Sequence, residues 1–153
     1  MLIEDGKIIG NGPINEMLTR FDLPLSHSGD AISIFDARVM SRDTDFNLMD
    51  LEFKGGQFIV PDNKLPIESL VRIRVAARDV SITKKKQTDT SILNIFPAVV
   101  EEMVPEGDAQ VMVRLTLKGV ILLACLTRKS ASSLKLDQGL SVFIQVKSVA
   151  ILS

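Results

Sequence analysis

The feature that most constrains this chain is that its β pattern occurs twice. In the first half, Ala31 to Ser41 reads as one strand, Leu48 to Gly55 and Gln57 to Val60 as a hairpin about Gly55-Gly56, and Val71-Arg-Ile-Arg-Val75 alternates with period two. In the second half, Ile95 to Val104, Val111 to Gly119, Val120 to Leu126 and Val142-Phe-Ile-Gln-Val146 repeat that order. Phe35 matches Phe96, Leu51 matches Leu115, Lys54-Gly55 matches Lys118-Gly119, and Val71, Ile73 and Val75 match Val142, Ile144 and Val146. A period of about 60 to 70 residues is long for a solenoid and suits two copies of a small barrel. Short strands with tight turns favour closure, because a closed sheet has no edge to recruit other chains. The expected fold is therefore mainly β: two tandem small Greek-key, OB-like β-barrels over residues 31–82 and 88–153, each of about five strands. Val111, Val113, Leu115, Leu117, Val142, Ile144 and Val146 are expected to face the core.

Residues 1–30 differ from the rest. Leu2 to Ile9 reads as a hairpin around Asp5-Gly6, a pair that tolerates the positive φ of a primed turn. Pro13 to Arg20 follows as a short helix with Ile14, Met17 and Leu18 on its apolar face, and Phe21 to Asp30 as a linker. A hairpin and one helix cannot bury a core alone, so this hairpin-helix remnant reads as the tail of something larger.

Between the repeats, Lys84-Lys-Lys86 is either a solvated linker or a docking patch for an acidic partner. The whole chain has 18 basic and 19 acidic residues and so no net field to gather nucleic acid or anionic lipid. Its seven phenylalanines come without tyrosine or tryptophan, a poor set for stacking bases, so oligonucleotide binding is not expected. No apolar run approaches the roughly 20 residues of a membrane span, and Glu4 and Asp5 stand where a signal peptide is basic. Neither membrane insertion nor export is expected. The one cysteine, Cys125, lies in an apolar run and reads as a buried thiol of a cytoplasmic protein.

Catalytic equipment is missing from the pattern. The one histidine, His27, and Cys125 are far apart without ligand spacing, so no metal site is expected. There is no Gly-x-Ser-x-Gly and no Gly-x-x-x-x-Gly-Lys-Ser/Thr, so neither a catalytic residue nor ATP hydrolysis is expected of this chain. One constellation stands apart, Leu126-Thr-Arg-Lys-Ser130, where a strand ends and a short helix begins. Thr127 is the expected N-cap and Ser130 falls in the first turn, so both hydroxyls lie beside free backbone N–H groups. Helix capping accounts for them, and so does anion binding. Lys147-Ser148 adds a cation and a hydroxyl at the end of the last long strand, and Thr90-Ser91-x-x-Asn94 precedes the first strand of the second copy. A solvated strand end and a turn are the plain readings of those two.

Thr90 to Asn94, then Leu126-Thr127-x-x-Ser130, then Gln145 to Leu152 together resemble the ordered motifs of MOP/TOBE domains. The chain is most similar to the C-terminal accessory region of the ATP-binding subunits of bacterial molybdate importers. Val71 to Ser81 looks like the closing strand of the first copy, and Ile3 to Pro13 like the last hairpin of an ABC ATPase domain. The resemblance implies that residues 1–30 are an ATPase tail plus linker, and that the Walker and signature motifs precede Met1 in a longer parent. It further implies a regulatory and dimerisation role, a homodimer, permease partners reached through the ATPase domain, and a cytoplasmic place at the inner face of the membrane. No intrinsic cofactor is implied. The implied ligand is molybdate or tungstate, held by Ser91, Thr127, Ser130, Lys147 and Ser148. Oxyanion-binding relatives commonly read Ser-x-Arg-Asn where this chain has Ser91-Ile-Leu93-Asn94, so Leu93 replaces a cation, and a structural dimerisation arm without ligand is the alternative. Ala76-Ala77 stands where the first copy would need Lys-Ser, so that copy is expected to be structural.

Overall fold

Alternation of apolar and polar residues places one face of each strand inside: in Leu70–Ala76, Val71, Ile73 and Val75 are buried and Arg72 and Arg74 exposed. The computed structural model describes residues 31–152, with the backbone of two short strands ahead of them. Those two, β1 (Leu2–Glu4) and β2 (Lys7–Gly10), pair antiparallel with Glu4 opposite Lys7, as the expected hairpin requires. The helix expected at 13–20, the linker at 21–30 and His27 lie outside the described residues.

The strands that follow are β3 (Ile32–Asp43), β4 (Leu48–Phe53), β5 (Gly56–Pro61), β6 (Leu70–Ala76), β7 (Val80–Thr83), β8 (Asn94–Glu106), β9 (Gln110–Leu117), β10 (Val120–Thr127), β11 (Ser141–Val146) and β12 (Ala150–Leu152). A six-residue helix, α1 (Arg128–Ser133), separates β10 from β11. The fold is mainly β, as expected, with two curled five-stranded sheets and small OB-like modules. Each long first strand carries a register shift at the matching place, between Val39 and Ser41 in β3 and between Val100 and Glu102 in β8. A bulge bends and twists a strand, which lets one strand serve both walls of a small barrel.

Sheet membership does not follow chain order. One sheet runs β12-β6-β3-β4-β5 and the other β10-β9-β8-β11-β7, so β7 leaves the first half to pair with β11, and β12 returns to pair with β6. Each module is completed by an edge strand belonging to the other half of the chain. Val71 to Ser81, which looks like one closing strand in sequence, is broken by the turn Ala77–Asp79, where the chain crosses over. Ala77 is fully buried against Ala31, Met112 and Leu123, and only a small side chain lets the crossing pass so close to β9 and β10. The first hairpin turns at Lys54-Gly55, one residue earlier than Gly55-Gly56, because Phe53 pairs with Gly56 and turns its ring inward. A Cβ at Gly55 would lie 2.6 Å from that ring and 3.3 Å from Leu117. In the second hairpin Lys118 and Gly119 both have positive φ, the geometry of a two-residue primed turn.

The core joins the halves. Val113, Leu115, Leu117, Val142, Ile144 and Val146 are buried in one cluster with Met49, Leu51, Ile73 and Val75, and Val111 packs at its margin. Phe35, Phe53 and Phe58 cluster in the first half, and Phe53 and Phe58 meet Phe96 from the second, with centroids 4.9 Å apart between Phe58 and Phe96.

Two polar clamps cross the same boundary. The buried Asn94 side chain accepts a bond from Ile59 N–H at 2.8 Å and donates to Ile59 C=O at 3.0 Å, so its amide pairs with β5 as another strand would. Ser33 Oγ accepts from Leu123 N–H at 3.1 Å on β10. Ser33 and Asn94 sit two residues before the matched Phe35 and Phe96, and Ile59 and Leu123 lie five residues after the matched Lys54 and Lys118, so the clamps are equivalent by pseudo-twofold symmetry. Asn94→Ala leaves both Ile59 groups unpaired and is expected to cost about 1–3 kcal/mol in denaturant unfolding. A change below about 0.5 kcal/mol, ordinary for a surface substitution, would show that water replaces the clamp.

Candidate functional site

The strand-to-helix junction forms as its residue types require. Thr127 is the N-cap of α1, with φ −72° and ψ 150°, and its Oγ1 accepts from Ser130 N–H at 3.1 Å. The Thr127 hydroxyl donates to Ser130 Oγ at 3.0 Å. Capping thus uses the Ser130 N–H and ties the two hydroxyls to each other. Ser130 also lines an open cleft of about 450 Å³ with Ser81, Ile82, Leu126, Lys129, Ser133 and Leu134, between β7 and α1. Neither Ser81 nor Lys129 is among the candidate ligand residues. The crossing of β7 into the second sheet brings Ser81 there.

Lys147 and Ser148 follow β11, and both are exposed. Their partner is Asp79 at the end of the crossover turn: Lys147 N–H donates to Asp79 C=O at 3.0 Å, and Ser148 Oγ donates to Asp79 Oδ2 at 3.2 Å. The Lys147 ammonium makes no ion pair among the described residues. Because Val146 pairs with Asn94, the end of β11 lies beside the start of β8, and the exposed Ser91 precedes that start. Leu93 is 60% exposed at the same sheet end.

The five candidate residues therefore fall into two groups. Ser91, Lys147 and Ser148 share the sheet end where β8 begins, whereas Thr127 pairs with Gln110, which pairs with Glu106 at the other end of β8. Among the described residues no hydrogen bond joins the groups, although Ser81, which shares the cleft of Ser130, pairs with Gln145, two residues before Lys147. In the first half, the residues 64 positions before Thr127 and Ser130 are Asn63 and Pro66, beside Asp62. The Lys64 N–H, together with Arg42, holds the Asp62 carboxyl below the usual carboxylate range. That loop offers an anion negative charge where the second half offers hydroxyls.

Gln145 is a further polar group that the sequence reading missed. It is buried, its Oε1 accepts from Ser81 Oγ at 3.4 Å, and its Nε2 has no partner among the described residues. Cys125 is half-buried rather than buried, beside the cluster of Met112 and Leu123 on the outer face of β10. Burial, with Glu106 nearby, pushes its thiol up, which disfavours the nucleophilic thiolate. The described residues contain no group of His, Cys, Asp and Glu arranged to hold a metal.

The second module is of a known class: residues 90–152 match the family model of the TOBE domain. Beyond that match, nearly the whole chain is similar to part of the molybdenum import ATP-binding proteins. It is 45% identical over 152 residues to the molybdenum import ATP-binding protein ModC of Albidiferax ferrireducens, covering 99% of this chain and 41% of that protein. It is 41% identical to the ModC of Aromatoleum aromaticum, covering 99% of this chain and 40% of the relative. The chain thus spans about two-fifths of the length of the curated relatives it matches. Among solved structures, the cytoplasmic molybdate-binding protein ModG, in a form with molybdate bound, superposes with a TM-score of 0.68 at 21% identity. That match covers 78% of this chain and 94% of ModG, and it establishes the shared fold.

Proposed function

We propose that this chain is the regulatory and dimerisation region of the ATP-binding subunit of a molybdate importer, and that it takes molybdate or tungstate as a signal of cytoplasmic supply. The observation that carries the reading is that Lys147, whose ammonium makes no ion pair among the described residues, adjoins Ser148 in the chain at the sheet end that also bears Ser91. A dianion leaving water needs donors and positive charge in place of its hydration shell, and those groups supply them. Thr127 and Ser130, at the other end of β8, complete the set if a second copy presents them, which ties ligand binding to a homodimer. Turnover of ATP belongs to the part of the parent protein that the relatives have beyond this region, and contact with the permease subunits runs through that part. The protein then works at the cytoplasmic face of the membrane. No helix among the described residues is long and apolar enough to cross it.

Titration calorimetry with molybdate, using sulfate as the control anion, tests this. Lys147→Ala is expected to weaken molybdate binding about tenfold or more, since charge-assisted bonds contribute roughly 1.5–3 kcal/mol. Lys85→Ala, in the exposed turn between β7 and β8, should change nothing, because a solvated charge at a distance is screened. Leu93→Arg restores the family's cation at a position already exposed, so it should tighten binding without disturbing the core. One observation favours a second reading: the exposed Leu93 suits an apolar contact with another subunit, as a dimerisation arm without ligand would use. If neither wild type nor Leu93→Arg gives heat specific to molybdate, the arm is the better account.

A further inference from the structure

We propose that Asp79 is an affinity- and charge-selecting residue of this site, a carboxylate that occupies the ligand's hydroxyl donor when no ligand is present; this rests on the oxyanion reading above. Asp79 ends the turn that carries the chain from β6 in one sheet to β7 in the other, and residues 147–149 carry it back from β11 to β12. The two crossovers touch at Asp79. Its backbone oxygen takes the Lys147 N–H at 3.0 Å and its Oδ2 takes the Ser148 hydroxyl at 3.2 Å. Lys147, next to Ser148 in the chain and exposed, makes no ion pair among the described residues.

An oxyanion approaching Ser148 requires the hydroxyl bond that Ser148 already donates to Asp79, and it meets a negative charge while doing so. The Asp79 carboxylate offsets positive charge at this crossing, where Arg78 and Lys147 are the neighbouring cations in the chain, and Leu93 adds none. The site is thereby set to fill only at high ligand concentration. A repulsive charge opposite a binding group selects by ligand charge, because a dianion feels twice the field energy of a monoanion of the same shape.

Asp79→Asn retains an acceptor for Ser148 while removing the charge, and Asp79→Ala also frees the hydroxyl. In calorimetry on the full chain, Asp79→Asn is expected to tighten molybdate binding about tenfold, and perrhenate, a tetrahedral monoanion, only about threefold, as the doubled charge requires. Lys147→Ala in the Asp79→Asn background should abolish the gain. The same substitutions are made in the Leu93→Arg chain. A chain that binds molybdate in either background but gains nothing from Asp79→Asn or Asp79→Ala overturns the role of Asp79 while leaving the site standing. Equal gains for molybdate and perrhenate also overturn it, since a purely structural effect of loosening the crossover would not distinguish the two charges. If no variant binds, including Leu93→Arg with Asp79→Asn, the oxyanion reading itself fails and this inference with it.

Discussion

A fragment cut to residues 88–153, which contains the whole TOBE match, is expected not to fold as a stable monomer. The cut removes β7, and with it the buried Val80 and Ile82 and the partner of the β11 edge. It removes β6, the only strand that β12 pairs with among the described residues. Asn94 loses Ile59, and Phe96 loses the rings of Phe53 and Phe58. Each buried aliphatic or aromatic side chain left exposed forfeits roughly 1.5–3 kcal/mol, against a total stability of about 5–15 kcal/mol for an ordinary domain. Pseudo-symmetry names the route by which the fragment can recover. Ile82 lies opposite Ile144 and Ile151 lies opposite Ile73, and Ile73 and Ile144 are matched positions, so β12 of one copy fits the place of β7 on another. Light scattering should therefore find unfolded monomer at low concentration and a strand-exchanged dimer at high concentration. A monomer with a cooperative melt close to that of the full chain would refute the strand exchange as a folding requirement.

Phe58→Ala is expected to destabilise the whole chain by about 3–5 kcal/mol, the usual cost of emptying a buried aromatic site. Phe58 is fully buried and its ring meets Phe35, Phe53 and Phe96, so the cavity cannot close by rearranging one neighbour. Because the cluster belongs to both halves, urea unfolding should remain one transition with a lower midpoint and unchanged slope. Two separate transitions, or a loss below about 1 kcal/mol, would mean that the halves are stabilised independently of this cluster.

Most of the strands could be read because their signal is local. Period-two alternation in Val71–Val75 and in Val142–Val146, and the matched Lys-Gly turns, depend only on neighbours in sequence. The core facing of Val113, Leu115 and Ile144 follows from the same alternation. The Thr127 cap was legible for a similar reason, since an N-cap bonds within its own first turn. What bonds at long range left no such mark. Asn94 reads as a turn residue until Ile59 is beside it, Gln145 as an ordinary strand polar residue, and Asp79 as part of the closing strand of the first copy.

The sequence by itself determined that this chain is mainly β, that it is built twice, and that the second copy carries the hydroxyls and the lysine. Local periodicity and the coincidence of matched residues are properties of the chain order. Only the tertiary structure decided which copy owns which edge strand, because β7 and β12 are short apolar runs that fit either sheet equally well by pattern. The choice was made by the Ala77–Asp79 crossing, whose buried Ala77 fits only against the other half. The same crossing sets Asp79 against Ser148, residues 69 positions apart that no spacing rule connects.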